Sequence, residues 1–449
     1  MRGSRRILSA TFAAALGSAL LAIPGTAPAY AATGVSLPLY QLADMEVDGS
    51  HRKIFLSMPA GADGRVVVSD YNGNSTWLSG LPGAGGLALS PDEQTLYVAA
   101  RDIDTIVAYD TATLAETARY HVGDGIAPWG VAVAGGKLWF GYGVSGDLGS
   151  IDIGAAEPVV ALGLDSSLDF GAELVASPAD PNVLVVGTGD PNRNTLTVYD
   201  VSSGSPVMTK RRVLSGTEMN GLRDIDVTPD GRSILTAALI SPGYRAFRID
   251  DLSDVATHAA PSPASPVAVA AGPDGIVAGA TENTSADVPD VSVYAPVASA
   301  PLTSVEVGAA TQAPVVRGLA WAPDGSRLFT VTKESGVMGL RLHSLPVATP
   351  VHTTIALDAP ATSRKRQALT LTGTLTPGIA PGTTVTVTRH DASDPEGVSL
   401  GSVPVAADGT FTATDAPAKP GAVRYVVAYG GDRWHTASSA EATVEITRS

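Results

Sequence analysis

The chain has 449 residues, no cysteine, and 44 Asp and Glu against 29 Lys and Arg, a net charge of −15. Thiol chemistry, cysteine-ligated zinc and a disulfide framework are therefore excluded, and an acidic body argues against nucleic acid or an anionic membrane as partner. Charged residues make up only 16%, whereas Gly (48) and Pro (32) are many, the composition of an all-β chain dense in turns.

Residues 1–31 read as a secretory signal peptide. Arg2, Arg5 and Arg6 precede an apolar run from Ile7 to Ile23, and Ala29-Tyr30-Ala31 fits the small-x-small cleavage rule. The expected product is exported, either secreted or associated with the cell wall, and is not inserted in the membrane. Val35 to Leu42 is a strand pattern that stands before everything else.

From Ala43 onward one unit repeats: apolar strand, turn, strand, polar turn, strand. The clearest copy is Leu87 to Leu114, with Ser90-Pro91-Asp92-Glu93 at its first turn, where Pro presets φ and Asp accepts local backbone bonds. Ala43 to Asp70 turns at Asp48-Gly49, Val131 to Asp152 at Gly135-Gly136, and Leu174 to Asp200 at Ser177-Pro178-Ala179-Asp180. Ile225 to Asp250 turns at Thr228-Pro229-Asp230-Gly231, Val267 to Tyr294 at Gly272-Pro273-Asp274-Gly275, and Leu319 to Leu345 at Pro323-Asp324-Gly325. About seven copies at a spacing of roughly 43 to 50 residues are the signature of a β-propeller. The seven-bladed propeller is expected over 32–349. Its last copy lacks a fourth strand, so Val35 to Tyr40 is expected to pair with Gly339 to His343 and close the ring, removing two sheet edges.

Strand polarity places the inner-strand starts and the second-to-third-strand loops on one face, with the Pro-Asp-Gly turns on the other. Two places before the inner strands stand Gly85, Trp129, Ala172, Arg223 and Arg317, with Glu173 and Asp224 beside them. The loops add Arg101, Asp102, Asp104, Asp190, Arg193, Glu282, Asp287, Lys333 and Glu334. The ligand-binding set read from this face is Trp129, Glu173, Arg223, Asp224 and Arg317. Arg suits forked capture of a carboxylate or phosphate, and Trp suits stacking on a sugar, so an anionic or sugar-like ligand is expected. The competing reading is that these charges pair with one another around a solvated rim.

No catalytic residues, cofactor or metal site are read from the sequence. None of the seven histidines, His51, His121, His258, His343, His352, His390 and His435, falls beside a carboxylate on that face. No nucleophile elbow and no phosphate-cradling glycine motif occurs. Asp190-Pro191-Asn192-Arg193-Asn194 begins like a calcium loop, but Thr195 and Val201 stand where Gly and Glu are needed, so it reads as a hairpin turn.

Past Pro350 the pattern becomes short alternating strands: Thr384 to Thr388, Val403 to Ala406, Gly409 to Ala413, Val423 to Tyr429 and Ala442 to Ile446. Over 350–449 this is the footprint of an immunoglobulin-like β-sandwich held without a disulfide, with Tyr425 as a tyrosine-corner candidate. Arg364-Lys365-Arg366 reads as a solvated loop.

Leu96-Tyr97-Val98-Ala99, then Asp104 to Asp110, then Val122-Gly123 with Pro128-Trp129-Gly130-Val131, resembles the YVTN repeat of bacterial surface and exported β-propellers. The Gly-His and Trp-Asp marks of WD40 repeats are missing. Leu371 to Leu375 with Tyr429-Gly430-Gly431-Asp432 is similar to bacterial Ig-like repeat domains. The resemblance implies a binding or scaffold protein. Its propeller would present a face to a glycan, peptide or protein, and its Ig-like module would serve as spacer or adhesion unit. The YVTN group shades into propeller lactonases, so the alternative is a hydrolase or lactonase with its site in the central funnel. A third reading is a structural surface-layer component.

Overall fold

A computed structural model of the protein describes residues 34–448 apart from 60–63, 144–145, 169–171, 191–192, 216–217, 263–264, 284–287, 309–310, 347–352, 376–382, 407 and 433–434. Residues 1–33, which hold the expected signal peptide, Asp287 and the connection at 347–352 lie outside the described residues, as do the side chains of Asp190 and Arg193.

Seven strands begin the repeats: Asp44–Asp48, Ala84–Leu89, Pro128–Ala134, Glu173–Ala176, Asn220–Val227, Ser265–Ala271 and Gln312–Trp321. Each is the first strand of its own four-stranded antiparallel sheet. These inner strands are neighbours in cyclic order, and the last lies beside the first. That is a β-propeller. Each apolar core is shared between neighbouring sheets: Phe55, Val66 and Val68 of the first pack with Leu87, Leu96 and Val98 of the second. No sheet buries its own faces alone, which is why the unit must repeat.

The turns follow their residues. Gly135 and Gly136 both take positive φ, 57° and 73°, between the paired Ala134 and Lys137. A two-residue hairpin of this kind needs φ above zero at both positions, so two glycines replace Pro-Asp here.

The seventh sheet draws its fourth strand from the other end of the propeller. Val35 pairs with Leu342 and Leu37 with Leu340. Leu37 and Leu39 are buried with Phe329, Leu340 and Leu342 of the last sheet and Met45, Val47 and Ile54 of the first. The ladder spans Val35–Leu37 rather than reaching Tyr40, because Pro38 has no N–H to continue it.

Beyond the propeller, two sheets face each other. One holds Ile355–Asp358, Leu369–Leu375 and Thr410–Asp415; the other holds Thr362–Arg364, Thr384–Asp391, Asp394–Pro404, Gly421–Tyr429 and Ser438–Thr447. Their inward side chains, among them Leu371, Phe411, Val385, Val427 and Val444, form one core. The strand expected at Val403 to Ala406 instead runs Asp394–Pro404. Its exposed, Gly- and Glu-bearing start carries no apolar alternation to read. Tyr425 is fully buried, and its hydroxyl donates to Asp415 Oδ2 at 2.8 Å, not to backbone. Arg364, Lys365 and Arg366 are exposed.

Candidate functional site

A cavity of about 520 Å³ occupies the ring axis and is lined by inner-strand residues of all seven sheets. The repeat explains what lines it. Five residues before the turn proline, or its equivalent, stand Asp44, Gly86, Gly130, Glu173, Asp224, Ala268 and Gly318. Three residues before it stand Glu46, Ala88, Ala132, Val175, Asp226, Ala270 and Ala320. The two-residue period of a strand turns both rows the same way. The first row makes an upper tier near the strand starts. The second makes a lower tier, nearer Pro178, Pro229, Pro273 and Pro323, which also line the cavity. Glycines in the first row answer to crowding: a Cβ on Gly130 would stand 2.4 Å from the Ala172 carbonyl oxygen.

The upper tier is built around Arg317. This residue has φ of 57°, in the left-handed region, where the register shifts between Pro314 and Leu319. Such a conformation costs on the order of 1–2 kcal/mol in a non-glycine residue, and a bulge re-aims the side chain it carries. The guanidinium reaches from the seventh sheet to the fourth and fifth. Nη2 lies 3.2 Å from Glu173 Oε2, and Nε donates to the Arg223 carbonyl at 3.3 Å. Burial opposes its charge, but Glu173, Asp44 and Asp224 outweigh that and hold it protonated.

The carboxylates also fasten the ring. Asp44 Oδ2 accepts the Leu87 N–H at 2.8 Å, and Asp224 Oδ2 accepts the Val269 N–H at 2.8 Å. Glu173 accepts the Ile225 N–H. In the lower tier Asp226 Oδ2 accepts the Ala271 N–H at 2.8 Å and Oδ1 the Val227 N–H at 2.7 Å. In each of these links from Asp44, Glu173, Asp224 and Asp226, a carboxylate reaches the inner strand of the following sheet, joining strands that share no ladder. Burial pushes Glu173 up to about 7, against the pull of Arg317. Burial likewise lifts Asp226 to about 6, and raises Asp44, Asp224 and Glu46.

Three of the five residues chosen from sequence, Glu173, Asp224 and Arg317, meet in this cavity. The other two do not line it. Arg223 turns to the rim, where Nη1 is 3.4 Å from Glu282 Oε2, and Lys333 Nζ is 2.6 Å from Glu282 Oε1. Trp129 packs under Arg101, whose guanidinium lies 5.3 Å from its ring centroid. The expected anion site of two arginines and a tryptophan is therefore not assembled. The register shifts at Trp129, Arg223 and Arg317 alike, but of the three Arg317 takes a left-handed φ, and its side chain is the one that enters the cavity. Asp104 also has a local role, accepting the Gly125 and Ala127 N–H groups at 2.9 and 2.7 Å. Asp190 and Arg193 are strand partners at the ends of two paired strands, and the residues between them, where the calcium-like pattern falls, lie outside the described residues.

Asp44, Glu46 and Asp226 escaped the sequence reading. The signal was present: carrying the row of Glu173 and Asp224 back to the first copy gives Asp44, and stepping two residues on gives Glu46 and Asp226. Among the described residues no group of three or more His, Asp or Glu side chains is placed to hold a metal ion.

A second hollow, about 340 Å³, lies on the strand-start side and is lined by Tyr40, Leu42, Pro59, Glu282, Pro314, Val316, Lys333 and Leu340. Large apolar side chains stand exposed on that side: Met338 at 89%, Ile240 at 58% and Val337 at 53%, with Tyr40, Val316 and Leu239.

No family model matches the chain, and no curated protein matches it. Among solved structures it is similar to hydrazine synthase of Kuenenia stuttgartiensis, with 17% identity and a TM-score of 0.49 over 70% of this chain and 99% of that one. It is similar to the β-propeller domain of Cps50 (Swd1) of Myceliophteria thermophila, with 13% identity and a TM-score of 0.49 over 69% and 98%. Regucalcin of Agrobacterium tumefaciens, a calcium-binding protein, shows 17% identity and a TM-score of 0.41 over 56% and 85%. Likenesses this distant carry no ligand or activity to this chain, and its propeller rests on its own strand pairing.

Proposed function

We propose that this is an exported binding protein whose propeller offers a protein-binding face on the strand-start side. The C-terminal pair of sheets acts as an immunoglobulin-like spacer, and the repeats are of the YVTN type. The observation that carries this is the apolar exposure of that face. Met338, Val337, Ile240, Leu239, Val316 and Tyr40 stand in solvent where a rim without a partner would carry polar side chains. Arg223, Glu282 and Lys333 form a charged group on the same side, and Glu282 and Lys333 share a hollow with Tyr40 and Val316, the mix of apolar and polar contact that interfaces use. The basic amino-terminal segment and its Ala29-Tyr30-Ala31 site support export.

The test uses immobilised protein and the cell-envelope fraction of the producing organism. Wild type is expected to enrich a partner that the Ile240→Lys, Met338→Glu double variant loses by about tenfold or more, the scale of an interface anchor, at unchanged thermal stability. Equal enrichment by both proteins would sink the assignment of this face. Turnover of a lactone by wild type, abolished by Asp224→Asn, would move the reading to a hydrolase in the channel.

A further inference from the structure

The axial cavity is lined by five carboxylates, Asp44, Glu46, Glu173, Asp224 and Asp226, and one cation, Arg317. The cation is confined to the upper tier. Arg317 lies against Glu173 and is surrounded by Asp44 and Asp224. Among the described residues the lower tier has no counterpart. Glu46 is half-buried on the cavity wall, its carboxylate has no hydrogen-bond partner among the described residues, and the charges that act on it are those of Asp44, Asp226 and, more weakly, Glu93. Asp226, on the fifth sheet, spends its oxygens on two backbone N–H groups and has no cation beside it. A carboxylate drawn part-way out of water beside other carboxylates, with no cation, is disfavoured, and a fold of seven similar strands offers Ala or Val in the same row at Ala88, Ala132 and Val175.

We propose that the lower tier of the axial cavity, Glu46 with Asp226, binds an organic ammonium or guanidinium cation carried on an apolar stem. The field there excludes an anion. The absence of a three-ligand group among the described residues disfavours a bare metal ion. The apolar part of the ligand meets Trp321, Pro178, Pro229 and Pro273, which also line the cavity, and an aromatic ring with carboxylates suits an alkylammonium group. Glu46 stands well above its ordinary range when the cavity holds no cation, chiefly through burial and then through Asp44 and Asp226. An entering cation restores its charge and drives off a proton, so affinity rises with pH.

The probe is cadaverine, titrated calorimetrically into the full chain near about pH 5 and about pH 8. Affinity is expected to be about tenfold or more higher at the upper pH, one pKa unit or more of linkage. Apparent enthalpies should differ between phosphate and Tris buffers, because a proton is released. Glu46→Gln should weaken binding by about tenfold or more while the melting temperature holds. If that variant does not fold, Glu46→Asp, which keeps the charge on a shorter arm, should bind with reduced affinity. The proposal is overturned by no binding of cadaverine at either pH, by equal binding of glutarate, by displacement of cadaverine by calcium ion at equal concentration, or by a foldable Glu46 variant that binds like wild type. The Ile240→Lys, Met338→Glu protein should bind cadaverine normally, which separates this site from the proposed protein-binding face.

Discussion

Arg223 and Arg317 occupy equivalent places in two copies of the repeat and have opposite fates. Arg223 stays at the rim, 3.4 Å from a half-exposed Glu282 that Lys333 also holds. Arg317, in its left-handed bulge, is the positive centre of Asp44, Glu173 and Asp224. Arg317→Ala leaves three enclosed carboxylates without their cation, and breaking such a group costs about 3–5 kcal/mol. Arg223→Ala breaks a rim pair and should cost about 1 kcal/mol or less. Urea unfolding of the two single variants checks this; similar losses for both would overturn the division between structural and rim arginine. What the sequence showed here was the row of positions, because strand alternation is strict. It did not show the bulge, since the left-handed φ at Arg317 is held by tertiary packing and not by a glycine. It also left Asp44 and Glu46 unread, because the first copy's Asp48-Gly49 turn lacks the proline that numbers most of the rows, and Asp226, because only the residues at the strand entries were read.

At the scale of the element, the deciding feature is one short strand that closes the ring. Val35–Leu37 makes only three pairs with Leu340–Leu342, yet it delivers Leu37 and, just past it, Leu39 into the core shared by the first and last sheets. Large-to-small changes at such sites cost about 2–5 kcal/mol each. Leu37→Ala with Leu39→Ala should therefore lower the melting temperature clearly and raise aggregation, because an unpaired edge at Leu340–Pro346 is exposed when the strand leaves. Light scattering during a thermal ramp reads both effects, and a double variant that melts and scatters like wild type would remove the strand from the closure. This element was legible because the seventh copy ended one strand short and an unassigned strand pattern stood before the first. The strand Asp394–Pro404 was not legible: it is mostly exposed and pairs through its backbone with Thr384–Asp391, so burial wrote no alternation into its side chains.

The whole molecule carries its charge unevenly. Residues 32–350 hold 18 Lys and Arg against 35 Asp and Glu, and residues 351–449 hold 8 against 9. Part of the acidity of the first body is internal, in the axial tiers. No core cluster of the described residues mixes the two bodies. The clusters of the propeller end at Leu345, and the last core begins at Ile355. Two cores without shared side chains have no reason to melt together. Calorimetry of a chain of residues 34–448 should show two transitions, and fragments 34–346 and 353–448 should each reproduce one. Tyr425 tells them apart. Its hydroxyl donates to Asp415 Oδ2 at 2.8 Å, and Arg389 Nη1 sits 3.3 Å from the same oxygen. Tyr425→Phe takes one donor from the half-buried Asp415 carboxylate and leaves a buried hydroxyl site empty, a loss of about 1–2 kcal/mol. In a body of this size that is a fall of several degrees, about 4–8 °C per kcal/mol. The fall belongs to the C-terminal transition alone, with the propeller transition unmoved. A single transition that shifts as a unit in Tyr425→Phe would mean that the two bodies share an interface and fold as one.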